Sequence, residues 1–150
     1  MTAPDQHYGD DTFDLARFVA AQNASYAAAL EEIRAGRKQT HWMWFVFPQL
    51  QGLGSSSTAR FYAIKNAAEA EAYLAHPVLG PRLLEISDVL LGVEGKSASE
   101  IFGSPDDLKL RSCATLFANV SECGSVFEQV LEKFFDGQPD PETMRLLQGG

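Results

Sequence analysis

One stretch holds an unusual share of the side chains that do chemistry. Residues 38–62 read KQTHWMWFVFPQLQGLGSSSTARFY and carry both tryptophans, Trp42 and Trp44, with His41, Phe45, Phe47, Gln49, Gln51, Phe61 and Tyr62. Aromatic faces hold flat rings with little demand for specific hydrogen bonds, so the string is equipped to stack a nucleobase-like group. His41 sits at its edge, where an imidazole can act as acid, base or donor, or simply as a structural hydrogen bonder. Directly after comes Gly52-Leu53-Gly54-Ser55-Ser56-Ser57. Successive amides in such a loop can form an anion nest, and serine hydroxyls can donate to phosphate or ribose oxygens. A plain serine-capped connection is the competing reading. Thr58-Ala59 stands where a Walker lysine would be needed, and no complete dinucleotide fingerprint is present.

A second chemistry-bearing stretch is DDLKLRSCATLF, residues 106–117. Asp106, Lys109 and Ser112 recur at three-residue steps, with Asn119 beyond, so they approach one face of a helix. Lys109 and Arg111 could meet an anion, while Asp106 near the helix start favours the dipole. This face is either one polar wall of a pocket or a solvated, cap-stabilised surface. The ligand-binding candidates are therefore Trp44, Gln49, Gly52, Gly54, Ser55, Ser56, Tyr62, Lys109 and Ser112. Spacing supports no Ser-His-Asp or Cys-His relation, because such sets are defined by geometry. His41 and His76 without a carboxylate pattern make a poor metal site, so neither metal nor cofactor is expected.

Amphipathic helices must position these groups. Leu15, Phe18, Val19, Gln22, Tyr26, Leu30 and Ile33 fall near one face and predict a helix from Asp11 or Thr12 to about Ala35, stopped by Gly36. Arg17, Glu31, Glu32 and Arg34 read as its solvated side. WMWFVF, residues 42–47, is a buried strand-like segment or a single helical turn. If extended, it places Trp42 and Trp44 on one side and Met43, Phe45 and Phe47 on the other. Pro48 ends it. Helical character, or a brief strand through Phe61 and Tyr62, follows the loop. Asn66 with Glu69 resembles a capping box for a helix through Ala75, and Ser97 with Glu100 another for a short helix ending at Gly103. Between them, 78–91 carries a leucine-rich stripe. Ser104-Pro105 predicts a hydroxyl cap and an N1 proline for a helix to about Asn119. Helices stopped at Asp136-Gly137 and started at Asp140-Pro141 complete the chain. The expected fold is mainly α: one compact domain over 11–148 of six or seven helices, with at most a short strand or hairpin near 42–62, after a disordered tail at 1–10 that includes His7.

Bulk properties narrow the function. A chain of 150 residues buries a real core without staples. Its net charge of −8, from 20 acids against 12 bases, weighs against a protein that lives by neutralising nucleic-acid backbones. Cys113 and Cys123 match no zinc or redox spacing and read as buried thiols in a reducing compartment. No segment approaches the roughly 18 apolar residues of a membrane span. The first ten residues lack signal-peptide character, so a cytoplasmic location is expected.

In the segments HWMWFVFPQLQGLGSSSTARFYAI, EAYLAHPVLGPRLLE and EIFGSPDDLKLRSCATLFANV the chain resembles the bacterial and fungal domain of unknown function 1810 family, some of whose members carry the label calpastatin. The resemblance spans about residues 12–147 and implies a small, mainly helical domain with no established reaction. The family's polar motif positions correspond to His41, Gln49, Ser55, Tyr62, His76, Asp106, Lys109, Ser112 and Thr115. The closing half is also similar in pattern to NADAR-type N-glycosidases, which act on ADP-ribose-type or phosphoribosyl substrates. The expectation is a small phosphorylated or nucleotide-like ligand. In an enzymatic version a glycosidic bond is hydrolysed, with Asp106 stabilising sugar charge or activating water, His41 protonating or orienting, and Lys109 holding phosphate. The alternative is a non-enzymatic interaction module using Trp42, Trp44 or Phe47 as a surface patch.

Overall fold

A computed structural model describes residues 12–149. The tail at 1–10 with His7, and the proposed cap Asp11, lie outside the described residues. Among the described residues nine helices follow in order: α1 (Ala16–Arg34), α2 (Met43–Val46), α3 (Ser57–Phe61), α4 (Ala67–Ala75), α5 (Leu79–Leu91), α6 (Ala98–Phe102), α7 (Asp106–Asn119), α8 (Val126–Phe135) and α9 (Pro141–Gly149). The expected mainly α architecture is present. Two one-turn helices, α2 and α3, occupy the stretch whose periodicity left helix and strand open. Among the described residues the β pairing is a single parallel bridge, Leu50 to Ile64.

α7 packs on α4, α6, α8 and α9, while α5 packs on α1, α4 and α8. Their shared interior is threaded by four rings in sequence. Phe18 meets Tyr73 at 5.2 Å, Tyr73 meets Phe117 at 5.4 Å, and Phe117 meets Phe127 at 5.6 Å. These tilted and edge-on approaches suit ring quadrupoles and tie α1, α4, α7 and α8 together. A second cluster, Trp42, Phe47 and Phe102, joins the α2 segment to α6 at 5.8–6.4 Å.

The start of α1 is set by Arg17, whose reading as a solvated residue is corrected. Its Nη1 donates to the Phe13 and Asp14 carbonyls at 2.7 and 2.8 Å, its Nε to Phe61 O at 2.8 Å, and its Nη2 to Ala63 O at 2.8 Å. Nη2 also pairs with Glu69 Oε2 at 2.9 Å, and the Glu69 side chain is fully buried. Glu69 Oε1 accepts the Lys65 amide at 2.8 Å. The capping box at α4 is therefore only half formed. Asn66 Oδ1 accepts the Glu69 amide at 2.9 Å, but the Glu69 carboxylate turns inward. Ser97 and Glu100 form the complete reciprocal box at α6.

Other local expectations are revised. Ser104 caps nothing at α7; the Ser104–Pro105 peptide bond is cis, and Pro105 itself occupies the cap position. α1 opens at Ala16, not at Thr12. Cys113 is buried, whereas Cys123 is exposed. No helix among the described residues is long and apolar enough to cross a membrane. His76 closes the corner between α4 and α5, its Nδ1 accepting the Val78 and Leu79 amides at 3.1 and 3.2 Å. At the same corner Gly80 lets the helices touch: a Cβ there would stand 2.1 Å from the Leu74 carbonyl oxygen.

Two stability predictions follow from these contacts. Glu69→Gln leaves a buried guanidinium without its counter-charge and should cost about 3–5 kcal/mol in urea denaturation; a loss under about 1 kcal/mol would show the pair to be dispensable. Gly80→Ala forces a methyl group against the Leu74 carbonyl, so a loss of about 1–3 kcal/mol is expected, and an unchanged denaturation midpoint would contradict the close approach.

Candidate functional site

Glu32 prepares the entry to the aromatic stretch. Its carboxylate accepts the Gln39 and Thr40 amides at 2.8 and 3.1 Å, the Thr40 hydroxyl at 2.6 Å and the Trp42 indole N–H at 2.8 Å. Partial burial alone would raise its pKa, but the hydrogen bonds from Thr40, Gln39 and Trp42 outweigh that and bring it down to about 2. Glu32 is thus a clamp between α1 and the 39–42 turn, not a solvated residue as its helix position suggested. With its indole bonded and its ring 1% exposed, Trp42 belongs to the core.

Because 43–46 is helical, the alternation of an extended segment does not apply. Met43, Val46 and Phe47 are buried, while Trp44 and Phe45 are half-buried. Gln22 fixes this turn, its buried Nε2 donating to Phe45 O at 2.7 Å and to the Tyr73 hydroxyl at 2.9 Å. Trp44 is left facing a cleft of about 260 Å³ lined by Gln49, Leu50, Gln51, Gly52, Leu53, Gly54, Ala59, Arg60, Tyr62 and Ala63 as well. Gln51 N donates to Ile64 O at 2.7 Å and Ile64 N to Gln49 O at 2.8 Å, which pins the floor to the segment after α3. The loop arches closely over the indole. A Cβ on Gly54 would meet Ala59 Cβ at 2.7 Å and Trp44 Cη2 at 3.5 Å.

Five of the expected ligand-binding residues converge here: Trp44, Gln49, Gly52, Gly54 and Tyr62. The others are placed elsewhere. Ser56 caps α3, its Oγ accepting the Ala59 amide at 3.0 Å, and Ser55 is exposed outside the lining. Ser112 is buried on α7 and donates back to Leu108 O at 3.2 Å. His41 is exposed and, like Asp106, does not line the cleft. Arg111 grips the Gln138 and Pro139 carbonyls at 2.9 Å, so it is engaged in the fold. The facing wall comes from α3 and residues 62–63, not from the 106–115 helix. Arg60, Leu53 and Ala63 complete that wall; their only signal in the sequence was membership of the aromatic stretch.

α7 nevertheless comes close to the site. Lys109 Nζ lies 4.1 Å from the Trp44 ring centroid and bonds Asp106 Oδ1 at 2.9 Å. The other Asp106 oxygen pairs with Lys38 Nζ at 3.0 Å, and that ammonium lies 5.1 Å from the Trp42 ring centroid. Burial works to raise the Asp106 pKa, but Lys109 and Lys38 prevail and hold it below the usual aspartate value. Asp106 is an ionised carboxylate with both oxygens already committed to lysines.

Two further hollows exist. One of about 580 Å³ adjoins the cleft across Leu50 and Gln51 and is flanked by Lys65, Asn66 and Arg145; another of about 270 Å³ lies between α7, α8 and α9 near Thr115, Asn119 and Glu132. The Trp44 cleft is the one in which aromatic faces and a few polar groups converge, the mixture expected of a small-molecule site. Cys113, buried and pushed up in pKa by that burial, offers no nucleophile. Among the described residues no group of three or more His, Cys, Asp or Glu side chains is placed to hold a metal ion.

Fold and site together define an all-helical domain with one shallow aromatic cleft beneath a glycine loop. The chain belongs to the family described as "Protein of unknown function (DUF1810)", which it matches over residues 12–147. It is similar to the crystal structure of the conserved hypothetical protein Rv1873 from Mycobacterium tuberculosis, with 53% identity and a TM-score of 0.90 over 92% of this chain and 99% of that one. No curated protein matches it.

The Glu32 clamp has a pH signature. Its folded pKa is depressed from 4.5 to about 2, so its contribution to stability is present above pH 4.5 and is lost as pH falls toward 2. Glu32→Gln should therefore lower the melting temperature at neutral pH and flatten the acid limb between those values. An acid limb of unchanged slope in the variant would remove Glu32 from this role.

Proposed function

We propose that this protein binds a small nucleotide-like or phosphorylated ligand by stacking its ring in the Trp44 cleft. The observation that carries this is the convergence of Trp44, Tyr62 and Gln49 under the Gly52–Gly54 loop. At about 260 Å³ the space suits a single ring system better than an entire ADP-ribose. The remainder of such a ligand would run across Leu50 and Gln51 toward the adjoining hollow, where Lys65 and Arg145 stand. Arg145 is paired with Glu142 and Lys65 lies 3.8 Å from Glu69, so a phosphorylated substituent would draw on cations that already have carboxylate partners.

Binding is better supported than hydrolysis. Inverting and retaining glycosidases use two carboxyl groups about the scissile bond, and among the described residues no carboxylate lines this cleft. The surface-patch alternative draws little from this placement, because Trp42 and Phe47 are each only 1% exposed.

Thermal shift against ADP-ribose, NAD and phosphoribosyl compounds tests the proposal. At least one should raise the melting temperature of the wild type by about 2 °C or more at millimolar concentration, and Trp44→Ala should abolish the rise. Absence of any shift across the panel, or a shift that Trp44→Ala leaves intact, would count against the cleft.

A further inference from the structure

We propose that Lys109 sets the charge selectivity of the cleft through the Trp44 ring without touching the ligand, so that neutral and anionic flat groups are accepted and cationic ones refused. This inference rests on the ring-stacking reading above and names the class of ring it takes.

An indole with both faces open attracts cations, which is how aromatic cages bind quaternary ammonium groups. Trp44 already has its cation: Lys109 Nζ stands 4.1 Å from the ring centroid, yet Lys109 is not part of the cleft lining. On this proposal the ring stands between ammonium and ligand, since Lys109 lies over the indole yet outside the lining. Lys109 is also tethered, because Asp106 holds it at 2.9 Å and Lys38 holds the other Asp106 oxygen at 3.0 Å. Two lysines and one carboxylate leave this array a net charge of +1. The three side chains are only 8–20% exposed, so solvent and salt screen them less than ordinary surface charges. Asp106 and Lys38 are positioning residues here: they keep the ammonium over the indole. The Gly54 loop restrains the edge of the ring, with room for no side chain.

A group stacked on Trp44 would lie roughly 7–8 Å from Lys109, a distance at which a partly buried unit charge shifts affinity by on the order of tenfold between ligands of opposite sign. The chain as a whole carries −8, so long-range attraction favours a cation. A preference for the anion would therefore report the local array. Arg60, the cation on the cleft wall, is the competing source.

The test is calorimetric titration of the full chain with naphthalene-1-sulfonate and with 1-naphthylmethylammonium, which share one bicycle and differ in charge. Wild type should bind the sulfonate at least about tenfold tighter. Lys109→Met should bring the ratio to near one, and Lys109→Arg should preserve it. Should Lys109→Met fail to fold, Lys109→Gln decides, because it removes the ammonium while keeping a polar end that can donate to Asp106, and it too should bring the ratio to near one. Equal binding of both probes to wild type, a ratio unchanged by Lys109→Met or Lys109→Gln, or one that falls only in Arg60→Met overturns the inference while leaving ring stacking intact. If neither probe binds at millimolar concentration, ring stacking fails and this inference with it.

Discussion

Everything near the cleft hangs on one buried ion pair, Arg17 with Glu69. A guanidinium taken out of water must find partners for its donors or cost several kcal/mol. Here it bonds four backbone carbonyls and one carboxylate, and the carboxylate in turn takes the Lys65 amide. The pair joins α1, the 61–65 segment and α4 at one point. That segment includes Ile64, whose bridge to Leu50 fixes the floor of the cleft, and Tyr62, which forms part of its wall. A site built mostly of loop acquires rigid footing because its backbone carbonyls are held by a fixed, charged fork.

The same economy of means appears behind the site. One carboxylate, Asp106, orders two lysines, and each lysine is spread over an indole. Charge, hydrogen bonding and aromatic packing are thereby combined at the junction of α7 with the tryptophan segment. Asp106 orders charge at this junction, where its spacing on α7 had suggested one polar wall of a pocket or a cap-stabilised surface.

The helices were readable because periodicity and caps are local properties. The stripe of α1, the capping box at Ser97 and the stop after Phe135 each depend on residues within a few positions of one another. Arg17 and Glu32 were misread for the opposite reason. A charge on the polar side of a helix looks solvated until a distant loop folds over it, and neither the Phe61 and Ala63 carbonyls nor the Trp42 N–H announces itself 10 or more residues away. Within the site, Trp44, Gln49, Gly52, Gly54 and Tyr62 were legible as neighbours along one stretch. Ser112 was not, since whether a hydroxyl faces a pocket or its own helix backbone is decided by rotamer and burial. The facing wall also escaped, because a five-residue helix such as α3 folds the stretch back on itself without any long-range signal.

The contrast between the two tryptophans gives the molecule a pair of built-in optical reporters. The emission of Trp42, sealed in the interior with its N–H on a carboxylate, registers the integrity of the fold, whereas Trp44, half open and backed by an ammonium, registers what happens at the cleft mouth. In single-tryptophan variants, Trp44→Phe and Trp42→Phe, the two environments would be read separately, with no label attached.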